Sequence, residues 1–106
     1  GDANAYVLRS FVLCDTPPEI LNVTGPEIIS VRWLASRFGE IFGHEPILKG
    51  EEATTALLSN PSRCHYLFGY PRVSLERMIQ WTAHWVMIDG PTLRKPTHFE
   101  QREGKF

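Results

Sequence analysis

The clearest pattern of apolar and polar positions lies in residues 19–43, where it predicts a strand, a turn and a helix. Residues 20–23 are β-prone and mostly apolar, and Gly25 followed by Pro26 ends the run with a turn. Ser30 then provides an N-cap and Gly43 a C-terminal stop for a helix between them. The apolar residues of this helix recur on one face, at Val31, Leu34, Ala35, Phe38, Ile41 and Phe42.

Further elements are predicted on both sides of this unit. Residues 2–15 form a helix that is apolar over more than half of its circumference, which predicts burial on two sides. Residues 47–49 form a second short strand. Residues 60–69 carry an Asn-Pro start signal and a Gly stop signal for a short helix, and residues 74–88 form a last helix that opens with a Ser cap.

The order strand, helix, strand predicts an α/β fold. Such a connection is usually a right-handed crossover between parallel strands, so we expect two short parallel strands and about four helices. Residues 1–91 form one domain in this prediction, and residues 92–106 form an extended or partly disordered tail, because their charges, Pro and Gly show no periodicity. The first helix begins almost at the first residue, which predicts a chain cut from a longer one.

Composition narrows the classes of function. The chain has 106 residues, 42% of them hydrophobic, and a net charge of -1 at pH 7, with scattered Lys and Arg. We therefore expect no nucleic-acid partner, and the lack of a long apolar segment predicts no membrane partner. Cys14 and Cys64 have no second Cys or His at ligand spacing, so we expect reduced, buried thiols of a cytoplasmic protein. A disulfide or a metal site is the alternative.

Three stretches occur in an order and at a spacing that match a known pattern. They are DANA at residues 2–5, NVTGPE at 22–27 followed by SVRWLA at 30–35, and NPSRC at 60–64 followed by LFGYPRVSLE at 67–76. Together they resemble the C-terminal, substrate-side part of extended short-chain dehydrogenases, the NAD-dependent epimerase/dehydratase family. The resemblance covers residues 2–88.

The resemblance implies a parent enzyme that binds NAD(P) on an N-terminal Rossmann domain and a nucleotide-sugar or related polyol between that domain and this one. The phosphate-binding motif of such a domain is a strand followed by G-x-x-G-x-x-G and a helix, and the sequence contains no such run. The family's Tyr-x-x-x-Lys is also absent, since no Lys follows Tyr6, Tyr66 or Tyr70 at that spacing. We therefore expect no catalytic residue and no cofactor in this chain, which would be inactive without its missing Rossmann domain.

Candidate substrate-binding residues lie at the end of the first predicted strand and around the second. Asn22 and Thr24 are where open α/β sheets place ligand contacts, with plain turn hydrogen bonding as the alternative. Lys49 is suited to an anion, and Glu51 and Glu52 to acid/base chemistry, with a solvated loop as the alternative. Relatives often carry an Arg-x-Gly-Asp-like element here, and the two Glu residues would repel a diphosphate, which argues against a UDP-sugar.

Aromatic and histidine residues offer less specific signals. Trp33, Trp81 and Trp85 are suited to stacking on a sugar, but their places on periodic helices also fit core or rim packing. The four histidines are too dispersed for a metal triad, so we expect no metal.

Three functions remain open at the level of sequence. The main prediction is the substrate-side part of an epimerase/dehydratase-like oxidoreductase. The alternative is a free-standing small-ligand or protein-interaction module that descends from such a domain, with a homo-oligomer formed through an exposed apolar face. A self-contained enzyme that uses Glu51 and Glu52 is the third, although no positioned partner for them is visible.

Overall fold

The computed structural model describes residues 1–96, and the regular structure of that part of the chain is entirely helical. The elements are α1 Asp2–Ser10, which continues as a 3-10 turn at Phe11–Leu13, then α2 Val31–Phe42, α3 Ser62–Phe68 and α4 Leu75–Met87. Of the predicted tail, residues 92–96 are irregular and residues 97–106 lie outside the described part. Within residues 1–96, no helix has both the length and the apolar content needed to cross a membrane.

The predicted α/β fold with two strands is wrong, because residues 1–96 contain no strand and are all-α. Side chains of α3 form hydrogen bonds with backbone carbonyl groups of the first predicted strand and of the turn after it. Arg63 Nη1 donates to the Ile20 carbonyl oxygen at 3.4 Å, and His65 Nε2 lies 3.2 Å from the Thr24 carbonyl oxygen. A β-prone run becomes a strand only beside a pairing strand, and residues 47–49 do not supply one.

The predicted ends of α2 and the start of α4 are confirmed. The Ser30 hydroxyl accepts a hydrogen bond from the backbone N–H of Trp33 at 3.4 Å, and the Ser74 hydroxyl accepts one from the N–H of Arg77 at 3.3 Å. Gly43 ends α2 with a φ of 67°, in the left-handed region that favours glycine. These signals act within one turn of helix, so they do not depend on the surrounding fold.

The predicted short helix α3 is also confirmed. The Asn60 side-chain oxygen accepts hydrogen bonds from the backbone N–H of Ser62 at 3.0 Å and from its hydroxyl at 2.6 Å. Gly69 follows the last helical residue, with a φ of 80°. Asn60 therefore satisfies a helix N–H from one residue before the N-cap position, which Pro61 occupies.

The prediction that residues 2–15 form one helix buried on two sides is wrong in length and in burial. The α-helix ends at Ser10, and only Tyr6 in α1 is buried. The exposed apolar side chains of this region are Val7, Leu8, Phe11 and Val12. An amphipathic pattern identifies sides that suit burial, but the rest of the fold must supply a surface to cover each one.

The two cysteines differ in environment. Cys64 is completely buried, as predicted, whereas Cys14 is exposed, so its predicted burial is wrong. Both thiols are free in the structure. The difference follows from position, since Cys64 lies on the packed side of α3 and Cys14 follows the exposed turn after α1.

The helices pack as two pairs, α1 with α3 and α2 with α4. Ile79 and Ala83 are the buried residues of α4, and the apolar side of α2 is half-buried. Arg37 of α2 reaches across to Glu76 of α4, with 3.0 Å between Nη2 and Oε1. The polar side of α2 therefore contributes to the contact between these helices.

The end of α4 is fixed by a close contact between Trp85 and Gly90. The Gly90 N–H donates to the Trp85 carbonyl oxygen at 2.9 Å, and the indole Nε1 donates to the Pro91 carbonyl oxygen at 3.2 Å. A Cβ placed on Gly90 would lie 2.3 Å from Cε2 of the indole. The position therefore has no room for a side chain unless the indole moves.

We expect Gly90→Ala to lower the free energy of unfolding by about 1–3 kcal/mol, because the indole must shift and weaken its hydrogen bond. Urea denaturation followed by tryptophan fluorescence measures the change. Gly25→Ala is the matched control, since a Cβ there meets nothing closer than Glu27 Oε2 at 3.4 Å. Equal losses in the two variants would contradict the prediction.

Candidate functional site

An open cleft of about 540 Å³ lies where the turn after the first predicted strand faces the segment that leads into α4. Residues 23–27 line one part of it and residues 70–75 another. The lining is completed by Asp2, Ala3, Tyr6, Ile29 and Met78. This concave site, called the cleft below, is mostly apolar with a few polar side chains, as small-molecule sites usually are.

Asp2 ties the start of α1 to the segment before α4. Its Oδ2 accepts a hydrogen bond from the backbone N–H of Val73 at 2.9 Å, across 71 positions of sequence. Gly1 occupies the N-cap position of α1, and Asp2 is the first helical residue. The carboxylate therefore fixes one end of the cleft.

His65 connects α3 to the turn that lines the cleft. Its side chain is buried, and Nε2 lies 3.2 Å from the Thr24 carbonyl oxygen. Because a carbonyl oxygen can only accept, Nε2 carries the hydrogen of this bond. The imidazole also packs beside the Tyr70 ring, with 4.8 Å between centroids. One buried histidine thus contacts residues from both parts of the lining.

Tyr6 joins α1 to α3 beside the cleft. Its hydroxyl donates to the Gly69 carbonyl oxygen at 2.8 Å, and its ring lies 6.4 Å from that of Phe68. Burial of the phenol raises the pKa of Tyr6, and the negative charges available to Cys64 and Asp2 raise it further. The hydroxyl therefore remains a donor at neutral pH.

Of the predicted substrate-binding residues, only Thr24 lines the cleft. Asn22 is nearby in sequence, but its side-chain amide donates to the Asn60 carbonyl oxygen at 3.3 Å. That bond holds the turn against the start of α3. Asn22 and the backbone of Thr24 thus bond to residues 38 and 41 positions away in sequence, so these contacts are tertiary and not hydrogen bonds within a turn.

Lys49, Glu51 and Glu52 do not line the cleft. All three are exposed, and Glu52 pairs with Arg32, with 2.5 Å between Oε1 and Nη2. The structure therefore does not unite the five predicted residues in one site. The argument that Glu51 and Glu52 would repel a diphosphate does not extend to a ligand in the cleft.

Other lining residues were not singled out from the sequence as binding candidates. Two of them, Asp2 and Tyr6, lie in α1. The other two, Tyr70 and Arg72, lie in the segment that leads into α4. The sequence nevertheless contained a signal for these residues, because three of the four lie inside the motif stretches at residues 2–5 and 67–76. Tyr6 follows the first stretch directly.

The turn at residues 24–27 does not fit the pyrophosphate of a dinucleotide. The turn at residues 24–27 has Gly25 followed by Pro26, which lacks an N–H to donate to a phosphate. The Ser30 hydroxyl already accepts from an N–H at the start of α2. For metals, the part of the chain that the structure describes holds no group of three or more His, Cys, Asp or Glu suited to an ion.

A scan against protein-family models gives no match, and searches of curated proteins and of solved structures give none either. The resemblance to extended short-chain dehydrogenases therefore rests on the three motif stretches, and it remains a prediction.

The raised pKa of Tyr6 predicts how stability depends on alkaline pH. The protonated Tyr6 phenol contributes to the stability of the folded state. This contribution is present in full below the ordinary pKa of 10.0 and is lost as the pH rises through the higher pKa of Tyr6 in the folded state. Tyr6→Phe should melt at a lower temperature at neutral pH, yet lose less stability between about pH 9 and pH 11.

Thermal melts at several pH values test this expectation. Tyr66→Phe is the matched control, because the Tyr66 side chain is 89% exposed on the neighbouring α3. An alkaline slope of the melting temperature that is the same in Tyr6→Phe and the unmodified chain would contradict the prediction.

Proposed function

We propose that this chain is the substrate-side part of an NAD(P)-dependent epimerase/dehydratase-like oxidoreductase. In this proposal the cleft holds part of a nucleotide-sugar or related polyol. The Rossmann domain that binds the cofactor and supplies the catalytic Tyr-x-x-x-Lys is the partner of this chain.

One observation supports the proposal above the others. The three motif stretches that resemble the family are far apart in sequence, and each of them contributes to the lining of the same cleft. The first contributes Asp2 and Ala3, the second residues 23–27, and the third residues 70–75. Stretches that resembled the family by chance would have no reason to meet at one concave site.

The proposed role is binding rather than catalysis. Two tyrosines line the cleft, Tyr6 and Tyr70, but neither has the lysine that lowers the pKa of a catalytic phenol. The lysines in residues 1–96 are Lys49 and Lys95, and neither lines the cleft. Burial raises the pKa of Tyr6, which is opposite to what a general base at neutral pH needs.

A second candidate, a protein-interaction module that self-associates, is favoured by the exposed apolar side chains of α1. Val7 and Leu8 are 56% and 67% exposed, and Phe11 and Val12 extend the same region. Exposed apolar residues that adjoin one another are typical of surfaces that another protein covers. Under the main proposal the missing Rossmann domain covers them, and under the second candidate another copy of this chain does.

Nuclear magnetic resonance titrations test the main proposal. We expect UDP-glucose to bind weakly and to shift the amide signals of residues 23–27 and 70–75, because the chain supplies only part of the site. Calorimetry with NAD+ and NADP+ should show no micromolar affinity, because the proposal places the cofactor site on the Rossmann domain. Thr24→Val should weaken UDP-glucose binding up to about tenfold, the effect of one lost hydrogen bond.

Thr54→Val is the matched control for this experiment, since Thr54 is exposed in an irregular segment away from the cleft. It should bind UDP-glucose like the unmodified chain. Micromolar NAD(P) affinity, or amide shifts confined to residues outside the cleft, would contradict the proposal.

Light scattering at increasing protein concentration tests the second candidate. Under that candidate the average mass rises with concentration, and Leu8→Gln reduces the rise because it places a polar group in the apolar contact. Leu57→Gln should leave the rise unchanged, since Leu57 has nearly the same exposure, 66%, but lies in an irregular segment. A strict monomer at high concentration would exclude self-association.

A further inference from the structure

A second cavity, of about 620 Å³, adjoins the cleft and shares four lining residues with it, Asp2, Tyr6, Tyr70 and Arg72. Arg9 and Phe68 are among its other lining residues. We call it the arginine cavity. Two arginines therefore line a space that opens next to the proposed substrate site.

Neither arginine of this cavity forms an ion pair with a carboxylate in the part of the chain that the structure describes. Within residues 1–96, Arg32, Arg37 and Arg63 each pair with a glutamate, whereas Arg9 and Arg72 pair with no carboxylate. Asp2 is the negative side chain of the lining, and its Oδ2 already accepts the Val73 N–H. The ionised side chains around the cavity thus leave an excess of positive charge.

Arg9 is held in place by its neighbours. Its Nη1 donates to the Phe68 carbonyl oxygen at 2.5 Å, and its guanidinium carbon lies 4.9 Å from the centre of the Phe68 ring. A guanidinium has five N–H donors, so one bond to a carbonyl leaves others for a ligand. A cation that is fixed before binding loses less side-chain entropy when an anion arrives.

Tyr70 provides a ring at the boundary between the two sites. It lines both, its side chain is 71% exposed, and the His65 ring supports it at 4.8 Å between centroids. An exposed ring that packs on a buried ring is positioned to stack on a planar ligand.

We propose that Arg9 and Arg72 form an anion subsite that holds the phosphate of a nucleotide-type ligand, with a planar ring of that ligand on Tyr70. The inference deepens the proposed function and rests on the cleft as the substrate site. It assigns the charged part of the substrate to the arginine cavity and the remainder to the cleft. Arginines suit phosphate because the donors of one guanidinium group match two phosphate oxygens at once.

Calorimetric titration with pyrophosphate, UMP and uridine tests the subsite in the full chain. We expect pyrophosphate and UMP to bind, uridine to bind at least about tenfold more weakly than UMP, and added salt to weaken the two anions only. Arg72→Gln should weaken pyrophosphate binding about tenfold, and Arg72→Lys should recover part of the loss because it keeps the charge.

Two matched controls accompany these variants. Arg77→Gln removes an exposed arginine that has no ion pair within residues 1–96 and lines neither site, so it should bind pyrophosphate normally. Tyr70→Leu should weaken UMP about tenfold and leave pyrophosphate unchanged, whereas Tyr66→Leu should affect neither.

Equal losses in Arg72→Gln and Arg77→Gln would overturn the subsite, since they would reflect net charge alone. No binding of pyrophosphate to the unmodified chain would also overturn it. Different results would contradict the proposed function, namely micromolar affinity for NAD(P), or amide shifts on UDP-glucose addition that are confined to residues outside the cleft. Binding of UDP-glucose in the cleft that is insensitive to Arg72→Gln would keep the function and reject the subsite.

Discussion

The contact on which the site depends is the hydrogen bond between the buried His65 ring and the carbonyl oxygen of Thr24. Together with the packing of the same ring against the tilted Tyr70 ring, it brings the turn at residues 23–27 beside the segment at residues 70–75. A buried imidazole without a partner would be costly, so this arrangement is favoured over others in which the turn moves away. The cleft exists because one side chain of α3 satisfies a backbone group in a loop.

The surrounding fold relies on few buried apolar residues. Tyr6, Cys64, Ile79 and Ala83 are the buried hydrophobic residues of the described part, and most other large apolar side chains remain partly or largely exposed. Side-chain hydrogen bonds between distant segments, such as that of Asp2 with Val73, therefore contribute to holding the fold together. A chain with so small a core has much to gain from a surface that covers α1, whether a further domain or a second copy supplies it.

The candidate site could be predicted from sequence only in part. The motif stretches identified most of the segments that line the cleft, yet the residues chosen from local chemistry alone were Asn22, Thr24, Lys49, Glu51 and Glu52, of which one lines it. Lys49 is suited to an anion, and Glu51 and Glu52 are suited to acid/base chemistry, but the predicted strand around which the three lie is absent from residues 1–96. Arg9 and Arg72 could not be predicted as neighbours of one cavity, because that cavity depends on contacts between distant parts of the chain.

The sequence by itself determined the helices α2, α3 and α4 and where they start and stop, since Ser30, Gly43, Asn60 and Ser74 act on backbone groups only a few residues away. Only the tertiary structure decided whether the β-prone run at residues 20–23 would become a strand, which of the two cysteines is buried, and which polar groups face a common cavity. The physical reason is the distance along the sequence over which the stabilising interactions act. A helix satisfies its own backbone, whereas a strand, a core and a binding site each need partners that no short stretch of sequence contains.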